Sequence, residues 1–189
     1  MQKYFKYLVL MLALLLNGCV AAVIAGSLAT GIVLYDKRSL SVMETDIGIC
    51  YKINQAIQVD PRFHGTRIVV VCFNRNVLLI GQTPAATLKI MSEKIADKQP
   101  LVMRVYNEIH ISAPISLNQK TKDTLITSQV RSGLLTKHGL ESGSIRIITE
   151  NGIVYLMGKV NSEQANLAVD VARQIDEVQQ VVKVFQNTP

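Results

Sequence analysis

The most reactive side chain in this 189-residue sequence is a cysteine set in a processing signal. Leu16-Asn17-Gly18-Cys19 places an apolar residue at −3, a small one at −1 and a thiol at +1. Lipoprotein signal peptidase reads that pattern, because the thiol is acylated before the chain is cut. Upstream, Lys3 and Lys6 make a short positive region. Tyr7 to Leu16 follow as an apolar run of ten residues, too short to span a bilayer alone. Residues 1–18 therefore read as a signal peptide and Cys19 as the site of lipid attachment. Val20 rather than Asp follows the cysteine, so the expected destination in a Gram-negative cell is the outer membrane, facing the periplasm. The competing reading is an uncleaved anchor, since Val20 to Leu34 is also apolar.

Cys50 and Cys72 remain. An oxidising compartment permits a disulfide between them, provided their Cα atoms come within about 7 Å. Both also sit in apolar runs, where a free cysteine behaves as a small hydrophobe. The sequence leaves these two readings open. His64, His110 and His138 fall on separate elements without metal-ligand spacing. There is no Gly-x-Ser-x-Gly, Walker loop or dinucleotide fingerprint. Apart from Asp176-Glu177, the carboxylates are scattered and read as solvated surface. No enzyme activity, cofactor or metal is expected. Without the signal peptide the charge is +4, from 18 Lys and Arg against 14 Asp and Glu. That balance suits anionic lipid or nucleic acid. Export argues against nucleic acid, and the lack of tryptophan removes one stacking platform for bases.

A helix from about Lys122 to Lys137 offers a different chemistry. Ile126, Val130 and Leu134 recur at helical spacing and form its core face. At about 100° per residue, Leu125 and Leu135 point well away from that face. Ser128 and Ser132 share their side, and Arg131 and Lys137 flank it. Two leucines among small polar residues, with cations beside them, suit shallow insertion among anionic headgroups. Packing on the rest of the protein would explain the same leucines equally well.

These residues are positioned by a duplicated unit. Residues 19–41, rich in Ala, Gly and Ser, read as a linker from the lipid. Beyond them the chain repeats at an offset of 77: Arg67 to Val71 falls on Ser144 to Ile148, Asn74 on Asn151, and Gly81 on Gly158. Ile49, Ile53 and Ile57 likewise fall on Ile126, Val130 and Leu134. Downstream the offset becomes 76, with Val102, Val105 and Ile109 matching Val178, Val181 and Phe185. Each copy reads as a helix, a hairpin, a second helix and a final strand. Asn151-Gly152 is a strong hairpin turn, because both residues tolerate positive φ. Asn74-Arg75-Asn76 stands in its place in the first copy and requires a left-handed asparagine. Thr83-Pro84 predicts a cap and first-turn proline for the second helix, and Asn161 with Gln164 predicts a capping box.

A strand, helix and strand in succession suit a parallel right-handed crossover. The expected fold class is α+β: two tandem α-β-β-α-β domains, each with helices on one face of a three-stranded mixed sheet. Their bounds read as 42–112 and 121–189, with a linker at 113–120. Domains of about 65 residues lie near the lower limit for a self-sufficient core, so the copies should lean on each other. Ile68 to Phe73 (IVVVCF) is nearly continuous apolar, which predicts a strand covered on both faces.

These strings, in this order, resemble the dual BON-domain lipoproteins of the bacterial outer membrane, over essentially the whole chain. Leu78 to Pro84 is similar to that family's first hairpin exit, Val105 to Ile109 to its third strand, and Val130 to Thr136 to its second-domain helix. Thr149 to Gly152 and Tyr155 to Gly158 are similar to the hairpin that follows. The resemblance implies a non-enzymatic envelope protein that binds anionic, phosphatidylglycerol-like phospholipid through its second domain. It also implies support of outer-membrane integrity and gathering at the division site. Carried over residue by residue, it puts Leu125, Val130, Arg131, Leu135 and Thr136 at or near the lipid, with Lys137 beside them. One departure is that the lipoproteins resembled have a tryptophan, the better interfacial anchor, where this chain has Leu125. Val130 is also a core position by periodicity. Two alternatives stand beside this reading. One is a scaffold or regulator recruiting cell-wall remodelling, division or outer-membrane assembly factors. The other is a periplasmic stress protein of the OsmY kind, which shares the domain but not the anchor.

Overall fold

The computed structural model describes residues 38–187. The signal peptide, Cys19 and most of the 19–41 linker lie outside the described residues. Helix α1 (Leu40–Gln58) starts at Ser39, whose hydroxyl accepts the Val42 amide and so satisfies one of the helix's orphan donors. Strands β1 (Arg67–Phe73) and β2 (Asn76–Thr83), helix α2 (Ala86–Asp97) and strand β3 (Arg104–Ile111) complete the first domain. The second repeats the order with α3 (Leu117–Thr136), β4 (Ile145–Glu150), β5 (Ile153–Val160), α4 (Ser162–Arg173) and β6 (Gln180–Asn187). In each sheet the middle strand, β2 or β5, pairs antiparallel with the strand before it and parallel with the strand after the helix. This is the expected mixed α-β-β-α-β unit, twice.

Alternation along the strands sorts the apolar residues to two faces. Cys72, Val77, Leu79 and Ile109 meet Ile49, Ile53 and Ile57 of α1. Ile147, Val154 and Leu156 meet Ile126, Val130 and Leu134 of α3. The other faces meet each other: Val71, Phe73, Leu78 and Ile80 pack with Ile153, Tyr155, Met157 and Val184 in one buried cluster. The molecule is therefore a helix-sheet-sheet-helix stack, its two sheets back to back. Full burial of side chains such as Leu78 and Met157 stabilises by roughly 1.5–3 kcal/mol each. That second cover explains why β1 lacks an alternating pattern, as expected from its sequence.

Several local expectations change. Helix α3 begins at Leu117, capped by Ser116, whose hydroxyl accepts the Gln119 amide. It thus occupies half of the segment 113–120 that reads as linker. Thr83-Pro84 does not cap α2, because β2 stays paired through Thr83 with Ile111 of β3. The N-cap is Ala85, which makes no side-chain bond there. Asn161 does cap α4 by accepting the Gln164 amide at 2.9 Å. The reciprocal half of the box is missing, since the Gln164 carboxamide accepts from the Glu141 amide instead and pins the loop before β4. In the first hairpin both Asn74 (φ 47°) and Arg75 (φ 64°) are left-handed, so an arginine shares the conformation foreseen for asparagine alone. Asn151 (φ 54°) and Gly152 (φ 72°) do the same in the second.

Candidate functional site

Helix α3 carries most of the residues singled out from the sequence. Leu125 and Leu135 stand on its outer side at 59% and 56% exposure. Ten residues of helix separate them by about 15 Å. Between and around them lie Thr121, Thr124, Ser128 and Thr136, all exposed. Each of these four hydroxyls donates to the carbonyl four residues earlier: Leu117, Lys120, Thr124 and Ser132 respectively. A hydroxyl bonded back to its own helix keeps its proton out of solvent. The face therefore presents methyls, methylenes and acceptor lone pairs, and few groups that lose a donor bond when water leaves.

Cations border this face. Lys137 is exposed at the helix end. Arg131 is half-buried and donates from Nη1 to the Ile145 carbonyl at 3.2 Å, which fixes its stem against β4. Thr136 is exposed, its hydroxyl also within reach of the Gly133 carbonyl at 3.2 Å. Val130 is corrected: it is 0% exposed, packed between α3 and the sheet, and drops out of the lipid-facing set. The structure thus gathers Leu125, Leu135 and Thr136 on the outer face, with Arg131 and Lys137 near it and Val130 beneath.

Three carboxylates read as solvated surface are buried instead. Asp46 of α1 accepts the amides of Asn74 and Arg75, each at 2.8 Å, and pairs with Arg38 at 2.6 Å. Asp123 of α3 accepts those of Asn151 at 2.7 Å and Gly152 at 2.8 Å, with the Gln119 carboxamide on Oδ1. Each aspartate thus ties a helix to a left-handed hairpin turn. The repeat held the signal, since Asp46 and Asp123 are offset by the same 77 residues as the turns. Glu150 lies at the seam between domains, where Arg67 bonds both its oxygens at 2.8 and 2.9 Å and Gln82 adds a third bond at 3.0 Å. The oxygen of that carboxamide accepts the Ile115 amide in the chain joining the domains.

Cys50 and Cys72 are disulfide-bonded, their Cα atoms 5.8 Å apart, which joins α1 to β1. Of the two readings open from the sequence, the structure takes this one. His64, His110 and His138 are all exposed. Among the described residues no helix is long and apolar enough to cross a membrane, and no group of His, Cys, Asp and Glu is placed to hold a metal ion.

The duplicated unit decides the family. The sequence model of the BON domain matches residues 45–113 and again 122–189. The chain belongs to the BON-domain family. It is a dual-BON protein of the DolP type, 37% identical over 171 residues to the outer membrane lipoprotein DolP of Haemophilus influenzae, covering 90% of this chain and 89% of that one. It is also similar to a 21 kDa hemolysin of Actinobacillus pleuropneumoniae, 35% identical over 72% of this chain and 69% of the relative. The osmotically-inducible protein Y of Escherichia coli is 26% identical over the same shares. Both BON domains thus bring their helices to one side of the sheet and leave the other sheet face for the partner domain.

Proposed function

We propose that this BON protein is an outer-membrane lipoprotein, anchored through Cys19, whose second domain docks on anionic phospholipid by the outer face of α3. The observation that carries the reading is the pair Leu125 and Leu135, more than half exposed on a face where four hydroxyls are turned back to their own helix. Such a face gains from burying its two leucines and loses little by shedding water. Arg131 and Lys137 add attraction to anionic headgroups, worth about 1 kcal/mol per cation near the surface. The near full-length likeness to an outer membrane lipoprotein supports the address. A part in outer-membrane integrity at the division site belongs to the same reading.

Vesicle co-sedimentation tests it. The chain from residue 19 with Cys19→Ser should sediment with phosphatidylglycerol vesicles. A folded Leu125→Ala, Leu135→Glu variant should lose at least about tenfold in affinity, the equivalent of about 1.4 kcal/mol. No binding by the parent, or unchanged binding by the variant, would sink the proposal. The address is tested separately by imaging a fluorescent fusion with Cys19 and with Cys19→Ser. An unchanged pattern would exclude the anchor.

A further inference from the structure

The two copies of one fold differ at one end. There the first helix of a domain starts, its hairpin turns, and the loop enters its last strand. In the first domain this end is held together by bonds already met and by two more: the Arg75 Nε donates to the Leu101 carbonyl at 2.7 Å, and the Met103 amide donates to the Arg75 carbonyl at 2.9 Å. The second domain builds the same backbone. Its Gln179 amide donates to the Gly152 carbonyl at 2.9 Å, and Glu177 (φ 68°) repeats the left-handed conformation of Leu101 (φ 72°). The side chains diverge. Ile47, Leu101 and Met103 stand where the second copy has Thr124, Glu177 and Gln179, and they are 68%, 58% and 66% exposed. The fold does not require apolar residues there, since the second copy is built without them. Nor does a leucine gain anything from φ near +70°, a conformation disfavoured for bulky residues.

This end also lies beside the helix proposed to meet lipid. The Gln186 carboxamide of β6 donates to the Asn74 carbonyl at 3.2 Å, so the first hairpin turn sits against the end of the second sheet. Across that sheet, β6 pairs Phe185 with Gly158, which pairs with Ile145, whose carbonyl holds Arg131 of α3. Leu135 is one helical turn further on. The apolar end of the first domain and the Leu135 end of α3 therefore share one end of the molecule. Arg38, the first described residue, is fixed here as well, its guanidinium 4.4 Å from the Phe73 ring and paired with Asp46. The chain from Cys19 joins at this point, and its nineteen residues reach at most about 65 Å.

We infer that Ile47, Leu101 and Met103 form a second membrane contact, so that the protein meets an anionic bilayer through both domains at the end that carries Leu135. The inference rests on the reading of α3 as a lipid-facing helix. Exposed Arg75, Lys98 and Arg104 accompany these residues against exposed Glu44 and Asp97, a positive balance suited to anionic headgroups. Met103 and Leu101 insert their side chains, and the arginines remain at the level of the phosphates.

The second copy supplies the mutations. Leu101→Glu with Met103→Gln installs residues that the same backbone already carries, so the fold is retained. In the chain from residue 19 with Cys19→Ser, this double variant should bind phosphatidylglycerol vesicles roughly tenfold more weakly. The protein has no tryptophan, so Met103→Trp gives a single reporter whose emission should shift to shorter wavelength on adding vesicles. If the parent does not bind, the α3 reading fails and this inference with it. If the parent binds, Leu135→Glu weakens it, and neither Leu101→Glu/Met103→Gln nor the Met103→Trp emission responds, this inference alone is overturned. A double variant that abolishes self-association in sedimentation velocity but binds vesicles as the parent does would assign the patch to a second copy and overturn it too.

Discussion

The guanidinium of Arg67 and the carboxylate of Glu150 lie 83 residues apart in sequence and meet in two parallel hydrogen bonds at the seam of the two domains. The Glu150 side chain is 5% exposed and its other bond comes from Gln82, so the donors to its carboxylate belong to the first domain. Removing Arg67 strands a buried charge, which costs about 3–5 kcal/mol. Arg67→Ala should lower the urea midpoint accordingly, whereas Arg67→Met with Glu150→Leu should recover most of the loss. Both proteins should unfold in a single transition, because the shared sheet-to-sheet cluster leaves neither domain an intact core alone. Two resolved transitions would show the domains to be independent.

Asp123 secures the second hairpin. Its carboxylate takes three donors, and Asp123→Ala leaves the Asn151 and Gly152 amides unsatisfied in a buried place. A loss of about 3 kcal/mol is expected. Asp46→Ala should behave likewise, with Arg38 also losing its carboxylate. Hydrogen exchange at residues 151 and 152 provides the local readout, and protection unchanged from the parent would contradict the assignment.

Tyr155 makes a pH-dependent contribution. Burial holds its phenol above the ordinary tyrosine range, with the negative charges of Glu108 and Glu150 acting in the same direction. The folded protein keeps the proton while the unfolded chain releases it near pH 10. This stability is thus fully present below that pH and is lost as pH rises above it. The slope is about 1.4 kcal/mol per unit for the one proton. Tyr155→Phe should match the parent at pH 7 and decline less steeply above pH 10 in a denaturant series. Parallel curves would refute the placement.

The Cys50–Cys72 disulfide closes a loop with a sequence separation of 22. Loop-closure entropy of that size corresponds to about 3 kcal/mol. Cys50→Ala with Cys72→Ala should lose that amount by equilibrium unfolding, and the parent in reductant should do the same. Vesicle binding at 25 °C should be unchanged while the variant stays folded, since neither cysteine belongs to either lipid-facing surface.

Much of this architecture is legible in residue order. The 77-residue offset reveals the duplication because burial demands apolar residues at the same helical and strand positions in each copy. Asn151-Gly152 announces its hairpin because few residue pairs tolerate two left-handed conformations. Arg75 does not announce its own, since a bonded aspartate from α1 holds it there, and no local rule foresees a partner 29 residues away. Glu150 is hidden for the same reason: carboxylates are usually solvated, and only its donors from the other domain show otherwise, whereas Asp46 and Asp123 leave a trace in their shared 77-residue offset. Val130 follows its periodicity and not the family analogy. Thr83 fails as a cap because ladder pairing with Ile111 outweighs a local hydroxyl bond. On the outer face of α3, sequence spacing places the leucines, but the inward turn of four hydroxyls is visible only in three dimensions.

The back-to-back sheets have a consequence for biogenesis. A chain made from its N-terminus completes β1, β2 and β3 before β4 exists. During that interval Val71, Phe73, Leu78 and Ile80 have no partner, and the half-made protein presents a flat apolar sheet face to its surroundings. Arrival of the second domain ends this exposure and leaves the finished molecule with apolar residues outside chiefly on helices and loops. Maturation of such a chain is therefore a race between its own second half and any other apolar surface nearby. A holding chaperone would bind the nascent first domain on this face and be displaced by the rest of the same chain.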